Sequence, residues 1–207
     1  MTYIFDFDGT LVDSMPVFVK TMTKFFEEIG FSCPDDFLKK TTPLGYKATA
    51  EYAQRLGMSI SVEQFTESAK EYTSYDYINT IPAKPGVLEK LTQLKQEGHS
   101  LNVLTASPHS VLDVCLKRVG LYDLFDNVWI VDDFDSTKAE AKIYHDVAKR
   151  LGKNVNECIF LDDNFGAISA AKEAGMITIA VYDESSADLA DEMKKAADKY
   201  IYHFSEL

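Results

Sequence analysis

The chain has 207 residues, a formal net charge of −12 and a mean hydropathy of −0.15. With 46% hydrophobic and 26% charged residues it is not disordered, collagenous or a mini-protein, and its length suits one domain with an insertion or two small ones. The acidic balance argues against a broad basic surface and against nucleic acid as partner, so an anionic substrate needs local compensation by a metal or a lysine.

In chain order, short apolar runs alternate with helical patterns. Strands are expected at residues 3–7, 101–104, 128–131, 158–162 and 177–181, with a short one near 200–203. These runs are apolar throughout rather than alternating, as in a parallel sheet covered on both faces. Helices are expected where Val87, Leu88, Leu91 and Leu94 precede Gly98, where Ile143 to Leu151 precede Gly152, and where Ile168, Ala171 and Ala174 precede Gly175. The segment 188–199 reads as a surface helix with Leu189 and Met193 inward, and Trp129 reads as core. The alternation predicts an α/β doubly wound parallel sheet of Rossmann-like type.

One stretch interrupts it. From Met15 to Pro82 the pattern is helical, with Ser14 as the expected N-cap and Pro16 in the first turn. Phe18, Met22, Phe25, Phe26 and Ile29 form its first apolar stripe. The expected division is an α/β catalytic core over 1–14 and 83–207 and an inserted helical cap domain over 15–82. The insert carries 7 basic and 9 acidic residues against 14 and 24 in the rest, so it is the less acidic part.

Four strand ends carry chemistry. The first runs into Asp6-Phe7-Asp8-Gly9-Thr10. On an extended strand Asp6 and Asp8 share a face, and paired carboxylates there call for a cation or a shared proton. Alone, the segment also reads as a solvated Asp-Gly turn. The second strand ends at Thr105-Ala106-Ser107-Pro108, where Ser107 is the expected cap of a helix whose free N–H groups suit an anion. Lys138 precedes a helix and alone reads as a surface lysine. The fourth strand ends at Asp162-Asp163, at the carboxyl edge where open α/β sheets bind ligands. Oxygen donors without a His/Cys cluster suit Mg²⁺ rather than Zn²⁺. The acidic run Asp132-Asp133-Phe134-Asp135 reads as a loop after the third strand. Cys33, Cys115 and Cys158 form no C-x-x-C pair and read as reduced thiols. No run approaches about 18 apolar residues, and the start MTYIFDFDG lacks a basic and apolar leader. The expectation is a cytoplasmic protein, with no membrane partner, as a monomer or weak dimer.

Asp6-Phe-Asp-Gly-Thr-Leu-Val-Asp13-Ser14, Thr105, Lys138 and Asp162-Asp163 together resemble the haloacid dehalogenase superfamily. The likeness is to its phosphatase branch with a helical cap, which includes phosphoglycolate phosphatases and β-phosphoglucomutase-like proteins. It extends through Lys149-Arg150-Leu151-Gly152 and residues 170–176. Relatives often have proline after the lysine, where this chain has Ala139. The resemblance implies Asp6 as nucleophile, forming an aspartyl-phosphate, and Asp8 as general acid and base. It implies Mg²⁺ held by Asp6, the Asp8 carbonyl and Asp163, with Asp162 in support. Gly9, Thr10, Thr105, Ala106 and Lys138 would surround the phosphoryl group, and the substrate would be a small phosphorylated metabolite. Asp8 argues against dehalogenation, since dehalogenating relatives lack it. Mutase relatives carry a histidine where this chain has Phe18; a sugar-phosphate mutase stays as an alternative, as does a non-enzymatic phosphate-ligand binding or signalling module. In the cap, Leu44-Gly45-Tyr46-Lys47 is expected to be a substrate-facing loop, with Tyr46 and Lys47 touching substrate; it also reads as a plain connecting turn.

Overall fold

The computed structural model describes residues 1–34, 37–41 and 45–207. Six parallel strands, β1 (Thr2–Phe5), β2 (Ser100–Thr105), β3 (Asn127–Ile130), β4 (Cys158–Asp162), β5 (Ile177–Val181) and β6 (Lys199–Ile201), form one sheet in the order β3-β2-β1-β4-β5-β6. The chain first builds outward from β1 through β2 to β3, then returns to lay β4 on the other side of β1. The strand order therefore reverses at β1/β4, and the crevice beyond their carboxyl ends is where such sheets take ligands.

The helices follow from the apolar stripes. In chain order they are α1 (Met15–Glu28), α2 (Phe37–Thr41), α3 (Gly45–Arg55), α4 (Val62–Asn79), α5 (Val87–Gln96), α6 (His109–Arg118), α7 (Ala141–Arg150), α8 (Phe165–Ala174) and α9 (Ala190–Ala196). Neighbours on β1 point to opposite faces. Ile4 packs with Leu104, Phe160, Tyr144 and the small residues of α8. The Phe5 ring meets Phe125 at 6.2 Å and Phe204 at 6.5 Å. Both faces are covered, which is why the strands are apolar at successive positions.

The chain forms two compact units, Met1–Asp13 with Pro82–Leu207, and Ser14–Ile81. The second has its own core, in which Phe26 meets Phe31, Phe37 and Phe65 at ring distances of 5.3, 5.4 and 5.8 Å. Its helix α4 starts at a reciprocal cap: the Ser61 hydroxyl accepts from Gln64 N–H and the Gln64 side chain accepts from Ser61 N–H.

Within the α/β unit the two ends of the insertion are tied to each other. Asp13 N–H donates to the Pro82 carbonyl at 3.0 Å and Lys84 N–H to the Leu11 carbonyl at 3.0 Å. The Lys84 ammonium reaches Asp183 Oδ2 at 2.7 Å and the Tyr182 carbonyl at 2.8 Å, just past β5. Burial works upward on the Asp183 carboxyl, but hydrogen bonds from Lys84 and Ser185 outweigh it and hold the group below its usual range. Replacing Lys84 by methionine would strand a carboxylate that is 3% exposed, and is expected to cost about 3–5 kcal/mol. Urea unfolding followed by the fluorescence of Trp129, the chain's one tryptophan, measures this. A loss under about 1 kcal/mol would show the pair to be solvated.

Several expectations need correction. Ser14 occupies the N-cap position of α1 but its backbone is already helical and its hydroxyl makes no cap bond. Helix α6 begins at His109 with Pro108 as N-cap, so Ser107 precedes the helix rather than capping it. Trp129 is half-buried because β3 is an edge strand; the Arg150 guanidinium lies 5.7 Å from its ring centroid. Met193 is buried, whereas Leu189 is 38% exposed, since a 3₁₀ segment (Glu184–Leu189) precedes α9.

Candidate active site

Asp6 extends β1 by one bond, its N–H donating to the Leu161 carbonyl at 2.8 Å. This register sets Asp6 beside the end of β4, and hence beside Asp162 and Asp163. The chain then turns: Leu11 and Val12 N–H groups donate to the Phe7 carbonyl, and Gly9 N–H to the Val12 carbonyl. Gly9 has φ +70°, and a Cβ there would stand 2.4 Å from Asp163 Oδ2. Only glycine permits both the turn and the close approach of that carboxylate.

Asp6, Asp162 and Asp163 are buried, and one oxygen of each lies within 4.8 Å of the others. Among the described residues one cation faces them: the Lys138 ammonium is 2.6 Å from Asp6 Oδ1 and 2.8 Å from Asp162 Oδ2. With all three acids ionised, two negative charges are left uncompensated. Burial, then the nearby Asp162 charge, push Asp6 up to about 6 against the opposing pull of Lys138. Burial and the charges of Asp162, Asp6 and Asp183 push Asp163 well above the usual carboxylate range. Burial disfavours the Lys138 ammonium, but Asp162 and Asp6 overcome it and hold Lys138 firmly protonated. An all-oxygen donor set with excess negative charge, packed against a glycine that leaves it room, fits a hard divalent cation.

The two neighbouring acids at the end of β4 have different surroundings. Asp162 accepts from Asn164 N–H at 2.7 Å on Oδ1 and from Lys138 on Oδ2. Asp163 Oδ1 accepts from the Thr10 hydroxyl at 3.0 Å. Asn164 in turn caps α8, accepting from Ala167 N–H at 3.1 Å. Lys138 is held from behind by Tyr144, whose hydroxyl lies 2.7 Å from the Lys138 carbonyl and 3.0 Å from that of Ala167.

Thr105 ends β2 and is buried; its Oγ1 accepts from Ser107 N–H at 3.1 Å. That bond takes up a lone pair and leaves the Thr105 proton to donate elsewhere. Ala106 is exposed at the turn. The Ser107 hydroxyl donates to Asp8 Oδ2. Sequence reasoning missed this contact because Ser107 before proline looks like a helix cap.

Asp6, Asp8, Gly9, Thr10, Thr105, Ala106, Lys138, Asp162 and Asp163 all belong to the α/β unit. Tyr46 and Lys47 belong to the other unit, in the first turn of α3 rather than a loop; Leu44 lies outside the described residues. The Tyr46 hydroxyl is 2.7 Å from Thr73 Oγ1, and Lys47 lines a cleft with α4 residues including Glu63 and Thr66. The acidic run Asp132-Asp133-Phe134-Asp135 lines a separate cleft of about 610 Å³ with Lys149 and Arg150 and is not among the clustered carboxylates. No helix among the described residues is long and apolar enough to cross a membrane.

Comparison with known proteins places the chain among its relatives. The YhcW protein of Bacillus subtilis, which bears a phosphatase name, is 28% identical over 180 residues, covering 86% of this chain and 81% of its own. Hexitol phosphatase B of Escherichia coli is 27% identical over 181 residues, covering 86% and 82%. Among solved structures, a haloacid dehalogenase family IA variant 3 hydrolase from Entamoeba histolytica matches with a TM-score of 0.84 at 22% identity, over 100% of this chain and 94% of that one. The family model for haloacid dehalogenase-like hydrolases matches residues 3–181, and the chain belongs to that family.

Proposed function

We propose that this chain hydrolyses a small phosphorylated metabolite through an aspartyl-phosphate on Asp6, with Mg²⁺ at the acidic cluster. The chain is a phosphoric monoester hydrolase by its family and by its relatives named phosphatases. What carries the finer reading is the Asp6–Lys138–Asp162 contact at the strand-order reversal, with Asp163 alongside. A buried carboxylate beside a fixed ammonium can approach a phosphate that it would otherwise repel.

In the reaction an Asp6 oxygen forms a bond to phosphorus while the ester P–O bond breaks. Asp8, protonated, gives its proton to the leaving oxygen. The resulting Asp8 carboxylate then takes a proton from water as that water attacks phosphorus, and Asp6 is released with inorganic phosphate. Lys138 offsets charge on Asp6 and on the phosphoryl oxygens. Thr105 and the Ala106 N–H donate to those oxygens, and Gly9 and Thr10 shape the turn around them. Asp6, the Asp8 carbonyl and Asp163 would hold the metal, and Asp162 would fix Lys138. Bound there, Mg²⁺ would neutralise charge on the transferring phosphoryl group. Tyr46 and Lys47 stay as candidate substrate contacts of the helical unit.

A mutase finds less support. Position 18, where mutase relatives place histidine, is Phe18, whose ring lies 6.5 Å from that of Tyr46. The test is release of phosphate from an aryl phosphate with Mg²⁺ and with EDTA, followed by a panel of phosphorylated sugars and small acids. Turnover that needs the metal is expected. No turnover on any ester would overturn the reading.

A further inference from the structure

We propose that Ser107 is the positioning residue for the acid–base step: its hydroxyl holds the Asp8 carboxyl in the orientation from which it serves the leaving oxygen. The proposal rests on the phosphatase reading and adds to it a residue that reads in the sequence only as a helix cap.

Asp8 sits where its side-chain orientation matters and where Ser107 reaches it. It follows the end of β1, outside the regular ladder, and the next residue is Gly9 in the left-handed region. A half-buried aspartate at such a turn has two side-chain torsions to set, and the Ser107 hydroxyl meets its carboxylate directly. Asp6, two residues earlier, is held by the sheet register and by Lys138. Ser107 supplies for Asp8 what Lys138 supplies for Asp6, but with a neutral donor.

Ser107 is itself well anchored. Its N–H is tied to Thr105 Oγ1, and Pro108 follows at φ −70°, which restricts the serine backbone to extended conformations. Pro108 is the N-cap of α6, whose Val111, Leu112, Cys115 and Leu116 are buried. One residue thus orients two others by separate groups, Thr105 through its N–H and Asp8 through its hydroxyl. A substitution that removes only the hydroxyl keeps the first contact and deletes the second.

That separation makes the role testable. A loosened acid matters most when the leaving group is a poor one and least when it departs without a proton. The experiment compares Ser107→Ala and Ser107→Thr with wild type on a series of ring-substituted phenyl phosphates. Their shapes are alike, but their phenols range from strongly to weakly acidic. The readout is kcat/KM, which covers steps up to release of the phenol. Ser107→Ala is expected to lose about tenfold on the weakest phenol and about twofold or less on the most acidic, with Ser107→Thr close to wild type. An equal loss across the series, or no loss anywhere, overturns the proposal while leaving the phosphatase reading intact. Failure of the wild-type chain on every ester overturns both.

Discussion

Replacing Asp6 with asparagine is expected to lower aryl phosphate turnover by about 10⁴-fold or more, because the amide cannot act as the nucleophile. The change is nearly isosteric, and it removes a charge that burial already disfavours. Lys138 keeps its bond to Asp162, and the two leftover negative charges at the cluster fall to one. The metal-free variant should therefore melt no lower than wild type, which separates chemistry from folding. Steady-state turnover and a thermal melt on one preparation measure both. Retained turnover would mean that Asp6 is not the nucleophile, whatever the fold. The size of the expected loss reflects the reaction, since phosphate monoesters are among the slowest substrates to hydrolyse unaided, with enzymatic accelerations up to ~10²¹.

Local signals made much of this legible. The central strands β1, β4 and β5 are mostly apolar runs of four or five residues, as expected of strands covered on both faces. The expected strand at 158–162 coincides with β4, because Asn154 and Glu157 before it and Asp163 after it mark its limits. The order β3-β2-β1-β4-β5-β6 is not local, and no run of residues encodes it; it is set by how the strands pair once the connecting segments are packed. The acids could be named from sequence, but not their unequal surroundings. That Asp162 is occupied by Lys138 and Asn164 N–H while Asp163 takes Thr10 depends on side-chain directions that meet only across the sheet edge. Ser107 and Lys84 were missed for the same reason. Their partners, Asp8 and Asp183, lie about a hundred positions away and are close only once β1, β2 and β5 are in one sheet.

The charge at the cluster gives the second large effect, on stability against pH. Asp6 is pushed up to about 6, and Asp163 is also raised. Both take up protons more readily in the folded chain than in the unfolded one, where they ionise near 4. In EDTA, stability is thus greatest below about pH 4 as far as these two groups are concerned, and falls as pH rises through 6 and both must ionise in the interior. A divalent cation reverses the preference by stabilising the ionised forms. The melting temperature in Mg²⁺ should accordingly exceed that in EDTA by a margin that widens between about pH 5 and pH 8. At a hundredfold excess over its dissociation constant the ion contributes about 2.7 kcal/mol, or about 5–10 °C for a chain of this size. Trp129 lies in the α/β unit and reports its melting directly. A margin that is flat or narrows with pH would mean that the carboxylates are not what the ion meets. Lys138→Met offers an internal control: it removes the one cation facing the cluster among the described residues, so the EDTA form should melt lower still and the gain from Mg²⁺ should grow. It should also lose turnover, since the ion then replaces only the charge of the ammonium and not its position between Asp6 and Asp162.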